Sequence, residues 1–79
     1  NHRFAMTLAE EVRRNIENLD IPHRDSPTAP RVTVSLGVVT AHYDKTPDIE
    51  SIVDLCDREL YLAKASGRNR ACGINLAID

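Results

Sequence analysis

Apolar residues recur at three- and four-residue steps near the start of the chain: Phe4, Leu8, Val12, Ile16 and Leu19, with Ala5 and Ala9 widening the stripe. That period fits one side of an α-helix and predicts an amphipathic helix over residues 3–19. The remaining positions carry Glu10, Arg13, Arg14 and Glu17. Glu10 with Arg14, and Arg13 with Glu17, stand four residues apart and can pair along the helix, so a solvated charged face is expected. Pro22 cannot continue the helix and biases Ile21 toward extended backbone.

The period then changes. Residues 20–30 hold Pro22, Pro27 and Pro30 among His23, Asp25, Ser26 and Thr28, which is loop chemistry. A short extended piece at 21–23 can pair with the next strand as a hairpin with a long loop. Over 31–40 the alternation is two: Val32, Val34, Leu36 and Val38 on one side, Thr33, Ser35, Gly37 and Val39 on the other. This predicts a strand with both faces at least partly covered, and Gly37 marks a place where another backbone or a ligand comes close. A second helix is expected over 47–66, with Thr46 as N-cap, Pro47 at the first helical position, and Asp48 and Glu50 at the dipole's positive end. Its buried stripe is read as Ile49, Ile52, Val53, Cys56, Leu60 and Ala63, and Gly67 ends it. Residues 71–78 alternate again, with Cys72, Ile74, Leu76 and Ile78 on one side, and predict a closing strand weakened by Gly73. Each helix has one apolar stripe, so both are expected on one face of the sheet.

Composition narrows the classes. Seventy-nine residues make one small domain or a piece of one. Apolar residues at 42% and charged residues at 28% argue against intrinsic disorder. Ten basic against twelve acidic residues, a net charge of −2, exclude a nucleic-acid binder working by bulk electrostatics. With aromatic content of only 4%, an RNA-binding domain built on exposed aromatics is disfavoured too. No apolar run approaches the ~18–20 residues of a membrane span, and no signal segment opens the chain. The chain begins at Asn1 rather than Met, so a fragment is expected. Cys56 and Cys72 form no zinc spacing or disulfide framework and read as free thiols of a cytoplasmic protein.

Chemistry-bearing residues are sparse. There is no nucleophile elbow, phosphate-binding glycine loop or paired-histidine motif. His2, His23 and His42 are widely separated and read as surface residues, and Asp44, Asp54 and Asp57 as loop and helix-face charges. The stretch 57–70 is richer. Lys64 falls in the last helical turn and Arg68 just beyond Gly67, so a sharp turn would set two cations side by side. They can simply complement the negative end of the helix dipole. They can also clamp phosphate, Lys64 as a point charge and Arg68 as a fork.

The run Cys56-Asp57-Arg58-Glu59-Leu60-Tyr61-Leu62-Ala63-Lys64-Ala65-Ser66-Gly67-Arg68-Asn69 closely resembles the closing signature A-D-x-A-L-Y-x-A-K-x-x-G-R-N of GGDEF domains, departing from it at Cys56 and Glu59. Val32-Thr33-Val34-Ser35-Leu36-Gly37-Val38 resembles the family strand V-T-V-S-I-G-V, and Leu8-Ala9-Glu10-Glu11-Val12-Arg13 its helix L-A-E-R-I-R. The resemblance identifies residues 1–79 as the C-terminal part of a single GGDEF-like domain. It implies an α/β (α+β), ferredoxin-like nucleotide-cyclase fold, present as an incomplete α-β-α-β piece. The signature hairpin, the ligands of two magnesium ions, the guanine-reading residues and the inhibitory site would lie upstream. Glu11 stands where some members carry a product-binding arginine, so that role is not transferred.

The resemblance implies that Lys64 and Arg68 hold the terminal phosphates of GTP, in a reaction that joins two GTP molecules into cyclic di-GMP. Asn69 is expected to cap the turn, and Asp57 to make a structural hydrogen bond or ion pair. No catalytic residue and no metal ligand is expected within the chain. Mg2+ would act in the parent domain, and the fragment alone would be inactive. The expected partners are GTP and either a second copy or the missing N-terminal half, without nucleic acid or membrane contact. A degenerate, non-catalytic GGDEF module binding GTP or a protein partner is the alternative, and an unrelated ferredoxin-like regulatory domain a weaker third.

Overall fold

The computed structural model describes residues 1–24, 30–42 and 48–76. Its elements run α1 (His2–Asn18), β1 (Leu36–Thr40), α2 (Ile49–Ala65) and β2 (Ala71–Asn75), the order the periodicity predicts. The Asn1 side chain caps α1 by accepting the Phe4 N–H at 2.8 Å. α2 is capped by Asp48, whose carboxylate accepts the Ser51 N–H at 2.9 Å. The expected cap, Thr46 with Pro47, lies outside the described residues, and so does Asp44. A carboxylate two residues later does the capping because it reaches the N–H groups of the first turn directly. It is held below its ordinary pKa by those bonds.

β1 and β2 pair in parallel, with Leu36 beside Ala71 and Thr40 beside Asn75. Parallel neighbours need a crossover, and α2 supplies it. β1 is shorter than the 31–40 expected, because residues 32–35 find no ladder partner among the described residues. Arg31 instead bridges Pro22 in antiparallel sense. Val32 N–H donates to Ile21 C=O at 2.8 Å and His23 N–H to Pro30 C=O at 3.0 Å, the hairpin-like pairing anticipated for 21–23. Residue 78 of the expected closing strand lies outside the described residues.

The helices lie on opposite faces of the sheet, not on one face. A Cβ placed on Gly37 would meet Leu60 N at 2.6 Å, so Gly37 faces α2. A Cβ on Gly73 would meet Met6 Sδ at 2.5 Å, so Gly73 faces α1. Gly73 stands beside Val38 in the register, and side chains alternate along a strand. Leu36, Val38 and Thr40 therefore face α1, and Gly37 and Val39 face α2. His2 Nδ1, 2.8 Å from Thr40 Oγ1, confirms the first set. A single stripe per helix does not say which side of the sheet it meets, and the crossover places α2 opposite α1.

The core is correspondingly thin. On α1, His2 reaches Thr40, Met6 lies against Gly73, and Ala9 is buried. Phe4, Leu8, Val12 and Leu19 of the predicted stripe stay exposed, Phe4 at 65%. The stripe is wider than the surface that two strands can cover. On α2, Ala63 is fully buried, while Ile49 and Val53, read as buried, are exposed, Ile49 at 79%. Ile52, Cys56 and Leu60 are half-buried as expected, and Glu59, at 8% exposure, joins their side. Among the described residues no buried side-chain nitrogen or oxygen lacks a hydrogen-bond partner.

Candidate functional site

The richest local geometry is the turn that ends α2. Arg68 N–H donates to Ala63 C=O at 2.9 Å, and Gly67 N–H to Lys64 C=O at 3.4 Å. This nested pair closes a helix with a left-handed residue after its cap. Gly67 takes φ 127, a region that side chains rarely enter. The backbone then continues left-handed, with Arg68 at φ 63 and Asn69 at φ 49. Two consecutive non-glycine residues in this region cost roughly 1–2 kcal/mol each and persist only when surroundings hold them.

Those surroundings are specific. Arg13 Nη1 donates to Asn69 Oδ1 at 2.9 Å, and Asn69 Nδ2 donates to Glu17 Oε2 at 2.6 Å. Asn69 N–H donates to Ser35 Oγ at 3.2 Å. Arg70 Nε donates to Arg68 C=O at 3.0 Å. Arg13 also grips Glu10 through Nε at 3.0 Å and through Nη2, and its Nη1 reaches Glu17 at 3.3 Å. The Arg13 side chain is only 14% exposed. Glu17 is held below its ordinary pKa first by the Asn69 amide and then by Arg13, and Glu10 is lowered by its bond to Arg13. The same contacts raise Arg13 further above its already high value.

Two expectations change here. Arg13 belongs to no solvated face but turns inward between α1 and the turn. Asn69 does not cap the turn from within; it anchors the turn to α1 and to Ser35. The sequence carried only a partial signal: Arg13 stands four residues after Ala9 and three before Ile16, at the edge of the apolar stripe, and a cation turned inward there needs partners.

Lys64 and Arg68 emerge on this one turn, both exposed, and neither has an ion pair among the described residues. Asp57 is exposed on α2, and no hydrogen bond or ion pair joins it to another described residue. His2 is tied to Thr40, while His23 and His42 are exposed and apart from the turn. Among the described residues no group of three or more His, Cys, Asp or Glu gathers to hold a metal ion. No helix among them is long and apolar enough to cross a membrane.

Comparison with known proteins accords with this arrangement. The family described as diguanylate cyclase, GGDEF domain, matches residues 1–70. Diguanylate cyclase A of Treponema denticola is 36% identical over 66 residues, which is 84% of this chain and 17% of that protein. Diguanylate cyclase VdcA of Vibrio cholerae is 41% identical over 69 residues, 86% of this chain and 20% of that protein. No solved structure matches the chain. The chain belongs to the GGDEF family, and it spans a fifth or less of the length of these relatives.

Proposed function

We propose that the chain forms the later part of a diguanylate cyclase domain and contributes the clamp for the terminal phosphates of GTP. Lys64 acts as a point charge and Arg68 as a planar fork. The observation that carries this reading is the turn at Gly67, which brings two exposed cations, neither ion-paired among the described residues, to one helix end, with Arg68 on a left-handed backbone held from several directions. Strain held in this way is characteristic of functional positions.

In the reaction, each 3′-hydroxyl attacks the α-phosphate of the other nucleotide. A 3′-oxygen–phosphorus bond forms as the bond to the β-phosphate breaks, and pyrophosphate leaves. Lys64 and Arg68 neutralise the triphosphate and the charge that grows on the departing pyrophosphate. The magnesium such a reaction implies does not fit the described residues, which gather no ligand set. These 79 residues alone are expected to form no product.

Arg68→Ala in the protein that carries this segment tests the clamp. As a helix-end cation, Arg68 would contribute ~0.3–1 kcal/mol of stability and nothing else. As a phosphate fork, its loss should cost ~1.5–3 kcal/mol in GTP handling, about ten- to a hundredfold in apparent affinity or turnover, with the fold intact. Arg68→Lys keeps the charge and loses the fork, and should fall between. Wild-type turnover in Arg68→Ala, paired with a lowered melting temperature, would leave only the helix-end role. A protein that binds GTP through this turn but makes no product would instead belong with the non-catalytic members of the family.

The exposed Phe4, Leu8 and Val12, and a two-stranded sheet whose edges have no further strand among the described residues, support burial against another part of the domain or a second copy. Sedimentation of these 79 residues as a monomer that unfolds cooperatively would remove that part of the reading.

A further inference from the structure

We infer that Arg13 is a positioning residue of the clamp: through Asn69 it holds the left-handed turn from which Arg68 projects. The inference rests on the clamp reading above and extends it to α1, which carries neither cation of the pair.

The direction of the Arg68 side chain is fixed by its backbone, and that backbone is in a region an arginine leaves when it can. Its N–H and C=O are both engaged, by Ala63 and by Arg70. Beyond it, Asn69 is the residue best suited to a left-handed conformation after glycine. Its side chain is bound at both ends, Oδ1 by Arg13 and Nδ2 by Glu17. Arg13 cannot drift, because Glu10 holds Nε and Nη2 while Nη1 spans Glu17 and Asn69. The guanidinium is therefore a rigid bracket between one turn of α1 and the turn after α2. Without it the Asn69 oxygen loses its donor, the turn relaxes toward ordinary φ, and the Arg68 side chain leaves the direction that its left-handed backbone gives it. Arg14 provides the control. It also pairs with Glu10, at 3.5 Å, but it is exposed and does not reach Asn69.

The test uses the intact protein that carries this segment. It measures affinity for a non-hydrolysable GTP analogue and for GMP, with amide exchange at Arg68 and Asn69. Arg13→Gln should weaken the triphosphate about tenfold, as expected for a displaced binding group. It should leave GMP, which lacks the terminal phosphates, unchanged, and should speed exchange at both amides. In an Arg68→Ala background the same change should add nothing, because its effect passes through Arg68. Arg14→Gln should leave every readout as it was. Should Arg13→Gln fail to fold, Asn69→Gly carries the test, since glycine accepts the positive φ while deleting the anchor. Triphosphate affinity unchanged in these variants, or lost additively with Arg68→Ala, overturns the inference while the clamp stands. Wild-type affinity in Arg68→Ala overturns the clamp itself, and with it the role of Arg13.

Discussion

The two faces of the sheet are each closed by a helix of 17 residues, and the closures differ in kind. On the α2 face, backbone approaches backbone. A Cβ on Gly37 would strike the Cys56 carbonyl oxygen and lie 2.6 Å from Leu60 N and 3.1 Å from Leu60 Cα. On the α1 face, side chains mediate. A Cβ on Gly73 would meet the thioether of Met6, with Val38 O at 3.1 Å and Val38 Cβ at 3.2 Å. The first closure is set by steric limits and needs no further specification. The second is adjustable, and its geometry is fixed by hydrogen bonds, chiefly those of Arg13. Close packing and polar bracketing thus divide the task of placing the turn that carries Lys64 and Arg68.

The largest effect expected from this contrast is at Gly37. Gly37→Ala has no flexible neighbour to displace, so α2 itself must shift, at a cost of ~3 kcal/mol or more. Whole domains have only about 5–15 kcal/mol of stability in total. Gly73→Ala should cost about 1 kcal/mol, since Met6 can re-orient and Val38 need give only slightly. Thermal unfolding of both variants, in the protein that carries the segment, ranks them. Equal losses would mean that the two faces are packed alike.

The contrast was partly legible in the chain itself. Gly37 within a β-branched run signalled a close backbone, and the α2 backbone is what comes close. The order of elements followed from the change of period at residue 31 and back again. The alternation of β1, apolar on one side and small on the other, already implied cover on both faces. The placement of both helices on one face ignored it. Ile49 and Val53 could not be assigned from the helix alone, because burial depends on which arc meets the sheet and the sheet is narrow. Arg13 was hidden by its spacing to Glu17, which fits an exposed pair equally well. Its third partner, Asn69, is 56 residues away, beyond the reach of any local pattern. The end of α2 was the most legible part, since Lys64, Gly67 and Arg68 lie within five residues and the bonds that close the helix join neighbours in sequence.

The smallest expected effect is a pH response confined to the bracketed side. Glu10 and Glu17 have pKa values lowered in the folded chain from an ordinary value near 4.5. Their stabilisation is therefore fully present above that pH and is lost as pH falls through the lowered folded values. Both are solvent-accessible, so the effect is modest and screened by salt. Protection of the Arg68 and Asn69 amides, corrected for intrinsic exchange, should fall below about pH 4.5, and protection near Gly37, whose close contacts are the Cys56 carbonyl and the Leu60 backbone, should not fall with it. Simultaneous loosening of both sites would show that the two closures are not separable.

The anchoring of Asn69 also bears on the order of assembly. Its three bonds reach across 34, 52 and 56 residues of chain. Each requires a long loop to close before the contact can form, and loop closure is entropically unfavourable and slow. The helix that carries Lys64 needs only neighbours in sequence, whereas the orientation of Arg68 waits for α1, β1 and α2 to meet. The two cations therefore mature at different stages of folding. During synthesis from the N-terminus, the turn after α2 is among the last features of the segment to become fixed.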